Sequence, residues 1–107
     1  MEFKNPYFLT VERINLLQRW ILVHSYLYYE KNESIVKDIN YDANTRQLIY
    51  LKNKYPNEFK QSDYYQYFKD FDSGTGFDLY SKIKENNDFE LLKKIENNAE
   101  LLLKLVL

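Results

Sequence analysis

Cysteine is absent from this 107-residue chain, and that excludes disulfides, thiol nucleophiles and cysteine-bound zinc in one step. Histidine is nearly absent as well: His24 stands alone, so one chain cannot assemble a multi-histidine metal site. Glycine and proline occur only twice each, which leaves few breaks and no Gly/Pro-rich linker. Charge of either sign is not in excess. Fifteen Lys and Arg against sixteen Asp and Glu give a formal net charge of −1. A protein that holds nucleic acid by neutralising phosphates carries far more positive charge, so direct nucleic-acid binding is not expected. A strongly acidic DNA mimic is excluded on the same ground. Long apolar runs are missing too. The run Leu101-Leu102-Leu103-Lys104-Leu105-Val106-Leu107 is far too short to span a bilayer, and Met1 to Pro6 lacks the basic-then-apolar order of a secretory signal. A soluble, cytoplasmic protein with no membrane association is the expectation.

What remains is rich in hydrophobic (45%), charged (29%) and aromatic (18%) residues, a balance that favours an ordered helical globule over a disordered chain. The length suits a single domain spanning residues 1–107. Thr10 reads as the cap of a first helix in which Ile14, Leu17, Ile21, His24 and Tyr28 recur at spacings of three and four. Leu16, Trp20, Val23 and Leu27 form a second stripe beside them, so this helix is expected to pack on more than one side. Asn32-Glu33-Ser34 reads as a turn and Ile35-Val36 as a short extended linker.

A second helix is predicted from Asp38 to about Lys54, with Tyr41, Thr45, Leu48 and Leu51 or Lys52 on one side, and Pro56 ends it. Ser62 to Phe68 reads as a short, capped, aromatic-rich helix, and Asp72-Ser73-Gly74-Thr75-Gly76 as a turn. Asp78 is expected to cap a short helix through Leu79, Tyr80 and Ile83. Asn87 or Asp88 should cap a last helix with Phe89, Leu92, Ile95, Ala99, Leu102 and Val106 on one face. The fold class is therefore all-α: a small single-domain bundle of about five helices.

One cluster stands out as chemistry. His24-Ser25-Tyr26-Leu27-Tyr28-Tyr29 ends the first helix, and Asp38-Ile39-Asn40-Tyr41-Asp42 opens the second. Tyrosine faces attract a cationic ring by about 0.5–2 kcal/mol, depending on desolvation. Carboxylates add charge complementarity and strong acceptors for sugar hydroxyls. Tyr41 and Asp42 lie within one helical turn of Asp38, so all three project from one helix end, and Tyr28 and Tyr29 close the other side. A flat pyridinium carrying a ribose fits such a bed. The bland reading of the same tyrosines is core packing, and that of the two aspartates is complementarity to the helix dipole.

The same residues carry a resemblance. The His-x-Tyr-x-Tyr-Tyr string of 24–29, followed by the Asp-x-x-Tyr-Asp string of 38–42 and by Arg46-Gln47-Leu48, resembles the small N-terminal helical domain of bacterial NAD-dependent DNA ligases. The likeness runs from about Ile14 to Pro56, and residues 57–107 read as a divergent helical extension. The resemblance implies that the first two helices form the helical pair of that domain and bind nicotinamide mononucleotide (NMN), free or as half of NAD. It also implies a ligand site of Tyr28, Tyr29, Asp38, Tyr41 and Asp42. Tyr28 and Tyr41 would lie near the nicotinamide ring, and Tyr29 would hydrogen-bond the phosphate. Asp38 and Asp42 would accept from the carboxamide or the ribose. The family's adenylation step needs a Lys-x-Asp-Gly motif. Lys69-Asp70-Phe71-Asp72-Ser73-Gly74 has the wrong spacing for it, so no catalysis is expected.

The leading expectation is a stand-alone, non-catalytic NMN/NAD-binding module, phage-encoded or from another mobile element, that sequesters, senses or competes for the nucleotide. One alternative is a counter-defence protein that inhibits a host immune protein, such as a CRISPR nuclease, through the Tyr64, Tyr65 and Tyr67 cluster and the C-terminal half. Another is the accessory half of a split ligase. His24 reads as a packed or rim histidine. The apolar C-terminal run could serve as a dimer face, and the oligomeric state is left open.

Overall fold

The chain folds around its first helix. A computed structural model describes residues 5–33, 35–72 and 76–106, with Asp38 described in its backbone alone. Within them lie α1 (Pro6–Tyr29), α2 (Asp38–Lys54), α3 (Pro56–Lys60), α4 (Tyr65–Phe68), α5 (Leu79–Glu85) and α6 (Phe89–Val106), and no strand. The all-α class is as expected. The helices number six rather than five, because Pro56 both stops α2 and occupies the first turn of α3. Proline lacks the N–H that a helix interior needs, but the first turn has no use for that N–H.

The same asymmetry moves the start of α1. Asn5 caps it by accepting from the Tyr7 N–H at 2.8 Å, with Pro6 in the first turn. Thr10 is therefore not the cap; its hydroxyl donates to the Pro6 carbonyl at 3.0 Å, inside the helix. The last helix starts as expected, with the Asp88 carboxylate accepting from the Leu91 N–H at 3.3 Å. Asp78 makes no such cap and instead pairs with Lys82 at 3.3 Å.

Helix α1 packs against α2, α3, α5 and α6, and α4 joins the assembly through α5. Consequently every residue from Ile21 to Leu27 is buried, which is what two adjacent apolar stripes require. Ile14, Ile21, Leu27, Leu48, Phe59, Phe68, Leu79 and Ile83 form the fully buried centre. Leu16 and Tyr28 depart from the stripe pattern and are exposed, since the partners of α1 do not reach its whole circumference. On α6, Leu92, Ile95 and Ala99 are buried as expected. Phe89 and Val106, at its two ends, are exposed, and Leu91 is buried in addition.

The aromatic-rich segment serves the core. Tyr67 is buried, donating its hydroxyl to Asp88 at 3.0 Å and accepting from the Asn86 amide at 3.0 Å. Tyr65 meets Phe59 edge-on at 5.9 Å, and Tyr64 is half-buried. Beneath them Gln18, a polar residue without exposure, donates to the Ser62 hydroxyl at 2.9 Å and accepts from the Tyr64 N–H at 3.2 Å. Ser62 in turn donates to the Phe59 carbonyl at 2.5 Å. This chain of bonds ties α1 to the segment between α3 and α4. Replacing Gln18 by Leu keeps the volume but removes the bonds to Ser62 and to the part-buried Tyr64 N–H, which costs about 0.5–1.5 kcal/mol for each bond. Denaturant unfolding of Gln18→Leu should show that loss, whereas Leu16→Ala, at an exposed position, should stay within about 0.5 kcal/mol of the parent.

Candidate functional site

The end of α1 is shaped by its backbone. Glu30 and Lys31 N–H groups both donate to the Tyr26 carbonyl, at 2.9 and 3.2 Å, and Glu33 N–H donates to Leu27 at 2.8 Å. Asn32 takes φ 55°, the left-handed conformation that asparagine tolerates better than most residues. The chain turns back, Ile35 packs on the core, and α2 starts with Asn40 and Tyr41 N–H groups on the Lys37 carbonyl. The last turns of α1 therefore lie beside the first turn of α2.

Tyr41 occupies this junction. Its ring lies 5.8 Å from that of Trp20, tilted by 34°, and Trp20 lies 4.2 Å from His24, tilted by 38°. The Tyr41 hydroxyl lies near the side chain of Ser25, whose own hydroxyl donates to the Leu22 carbonyl at 3.2 Å. Burial holds the phenol well above the ordinary tyrosine range; neighbouring Tyr29 and the Asp42 carboxylate push the same way, against the Ser25 side chain. At neutral pH Tyr41 is thus an uncharged hydroxyl.

Around it stand exposed groups. Tyr28 and Tyr29 keep 47% and 41% of their surface in water and meet edge to face at 4.8 Å, so both offer ring surface to a ligand. Asp42 is exposed, and its carbonyl accepts from Thr45 at 2.9 Å. Asp38 is the first residue of α2; its side chain lies outside the described residues, as do Ser34 and Ser73 to Thr75 of the two predicted turns. Of the five residues expected from the sequence, Tyr29 and Asp42 lie near enough to raise the Tyr41 phenol electrostatically, and Tyr28 meets Tyr29.

Three residues that sequence reasoning did not assign to the site belong to its frame. Trp20 appeared only as part of an apolar stripe, and Ser25 only as a spacer in the motif. Gly76 appeared only in a turn. No periodicity signals the contact between Gly76 and Tyr41, because it joins parts of the chain 35 residues apart.

A second concavity, about 380 Å³, lies between the end of α1 and α6 and is lined by Tyr26, Lys31, Glu33, Glu96, Ala99, Glu100 and Leu103. It shares none of the five residues. Three carboxylates against one lysine also give it the wrong sign for a phosphate. Among the described residues, no group of His, Asp and Glu could hold a metal ion. No helix among them is long and apolar enough to cross a membrane.

With this geometry in hand, the comparisons with known proteins are decisive about kinship. A sequence profile of the DNA ligase-like, N-terminal NAD+-binding domain matches residues 9–67, more than half of the chain. The chain belongs to this family. The matched segment holds α1 from Leu9 onward, α2, α3 and most of α4, so it extends on both sides of the stretch in which the resemblance was visible. The chain is also similar to a DNA ligase of Mycoplasmopsis pulmonis (strain UAB CTIP), 28% identical over 93 residues. Those residues cover 87% of this chain but 12% of that ligase. No solved structure matches the chain.

His24 gives the junction a pH dependence. Burial disfavours its charged form and lowers its pKa from the usual value. The unfolded chain therefore takes up the proton first. The stability that neutral His24 contributes is complete above about pH 6.5 and is lost as pH falls through the lower folded value. His24→Phe keeps a ring against Trp20 and removes the proton site. Thermal melts at pH 7.5 and 5.5 should show a smaller drop for the variant than for the parent.

Proposed function

We propose that this chain is a non-catalytic module that binds nicotinamide mononucleotide, free or as the nicotinamide half of NAD, at the α1–α2 junction. The observation that carries the reading is the half-buried Tyr41, packed by Trp20 and near Tyr29 and Asp42, with Tyr28 against Tyr29, inside the segment matched by an NAD+-binding family. The pyridinium would meet tyrosine faces, and Asp38 and Asp42 would accept from the ribose or the carboxamide. Tyr29 would donate to the phosphate. A neutral Tyr41 hydroxyl brings no negative charge of its own toward that phosphate.

Catalysis forms no part of this reading. His24 is buried against Trp20, and sequence offers no adenylation lysine in its proper motif. The role is to sequester or sense the nucleotide, or to compete for it. For the counter-defence alternative, the structure commits Tyr67 to the core and half-buries Tyr64 and Tyr65, which leaves the C-terminal half, with Phe89, Leu101, Leu105 and Val106 exposed, as its contact surface. The likeness to a DNA ligase favours one second reading, in which the chain supplies the mononucleotide site to a ligase catalytic region in trans.

Two measurements test the binding. A hundredfold excess of NMN over its dissociation constant should stabilise the fold by about 2.7 kcal/mol, read as a rise in melting temperature. Tyr41→Ala and Asp42→Asn should remove the shift, as should Tyr28→Ala, which by its exposure should leave the unliganded stability within about 0.5 kcal/mol. A shift retained by all three variants would overturn the site. The pyridinium accepts electrons from an excited indole, so NMN should also quench the emission of Trp20, the one tryptophan. Free nicotinamide appearing when NAD is incubated with the protein would contradict the non-catalytic assignment. Nick sealing restored to a ligase stripped of its N-terminal domain would favour the second reading.

A further inference from the structure

Gly76 belongs to the part of the chain beyond the family-matched segment, yet it is buried against the junction. Its φ of +67° lies in the left-handed region that glycine enters without penalty. A Cβ built on it would lie 2.7 Å from the Tyr41 hydroxyl, 3.2 Å from Leu79 Cδ1 and 3.4 Å from Ser25 Cβ. The first distance is shorter than any relaxed contact. The second involves the end of a flexible side chain, and the third is ordinary packing. Of the three neighbours, only the phenol is seriously obstructed. The Tyr41 hydroxyl is thus enclosed between Ser25 on α1 and the backbone of Gly76, while Trp20 lies beside the ring.

We infer that Gly76 is a positioning residue for the nucleotide site, a backbone stop that sets the depth and tilt at which Tyr41 is held for its ligand. The inference rests on the proposed binding of NMN and extends it past residue 67. The family motif supplies the rings, and the segment leading into α5 supplies the stop that fixes one of them. A missing side chain acts here by leaving room: the hydroxyl reaches Ser25 only because position 76 has no Cβ. A ring held in one orientation binds a flat ligand without having to be ordered at the moment of contact.

The test compares Gly76→Ala in two backgrounds, natural Tyr41 and Tyr41→Phe, with Ser25→Ala as a variant that carries no backbone strain. In unliganded protein, Trp20 emission reports the neighbouring ring. Gly76→Ala should alter that emission in the Tyr41 background and leave it nearly unchanged when residue 41 lacks its hydroxyl. The backbone strain of alanine at this φ is common to both backgrounds, and the fall in melting temperature should be larger with Tyr41 present, the excess reporting the clash with its hydroxyl. Calorimetric titration with NMN should show affinity weakened by about tenfold by Gly76→Ala with Tyr41 present, and by much less in the Tyr41→Phe background. Ser25→Ala should act in the same direction with a smaller effect.

Equal changes in Trp20 emission in both backgrounds, or none in either, would overturn the positioning role. If emission responds only in the Tyr41 background but the parent protein binds no NMN, the positioning stands and the proposed ligand falls. If NMN binds and Gly76→Ala leaves its affinity intact, the ligand stands and the positioning role falls.

Discussion

The burial of α1 on several sides is the constraint on which the other helices depend. A helix with one apolar stripe can rest on one neighbour; α1 carries two stripes and is closed off over seven consecutive residues, Ile21 to Leu27. Each buried large aliphatic side chain contributes about 1.5–3 kcal/mol relative to exposure, and the other elements collect that energy by docking on α1. None of the short helices α3, α4 and α5 could persist alone in water, since helices of this length have too few internal bonds to offset nucleation. Their order comes from the surface that α1 presents.

The eleven tyrosines divide into two populations. Tyr67 and Tyr41 place their rings inward, and Tyr67 gives its hydroxyl two partners, Asp88 and Asn86, while that of Tyr41 lies near Ser25. Burial without such partners would leave a costly polar group unpaired, and no buried side-chain nitrogen or oxygen among the described residues is left so. Tyr28 and Tyr29 belong to the other population, with rings turned to water at the end of α1. Tyr41 stands at the boundary between the two. Its ring is anchored by the core while its neighbours are open to solvent, which is a favourable arrangement for a recognition surface that must not rearrange on binding.

Much of this architecture was legible from residue spacing. The burial of Ile14, Ile21, Val23, His24 and Leu27 on α1, the start of α2 at Asp38, the Thr45-Leu48-Leu51 face and the Asp88 cap all follow from local rules, and the structure has each of them. The aromatic and acidic cluster was equally visible, because its members lie within two short strings at adjoining helix ends. What escaped was decided by other means. Pro56 signals an end and a beginning with the same residue, so α3 was hidden behind the stop of α2. Asn5 and Pro6 start α1 ahead of the apolar periodicity that reveals it. Phe89 and Val106 fit the period of α6, but no neighbouring element reaches the ends of that helix. The role of Gly76 has no local signature whatever, because what matters there is an atom that the residue lacks.

The stop at Gly76 separates two meanings of the word domain. As a sequence pattern, the family profile closes at residue 67, although the likeness to the Mycoplasmopsis pulmonis ligase runs over 93 residues and so past it. As a unit of cohesion, the domain extends farther, because a chain cut there would deprive α1 of its contacts with α5 and α6 and Tyr41 of its backstop. The motif and the helices after residue 67 therefore form one cohesive unit. A substitution in the segment leading into α5 would be felt at the tyrosine as directly as a change in the motif itself, although no motif residue had changed.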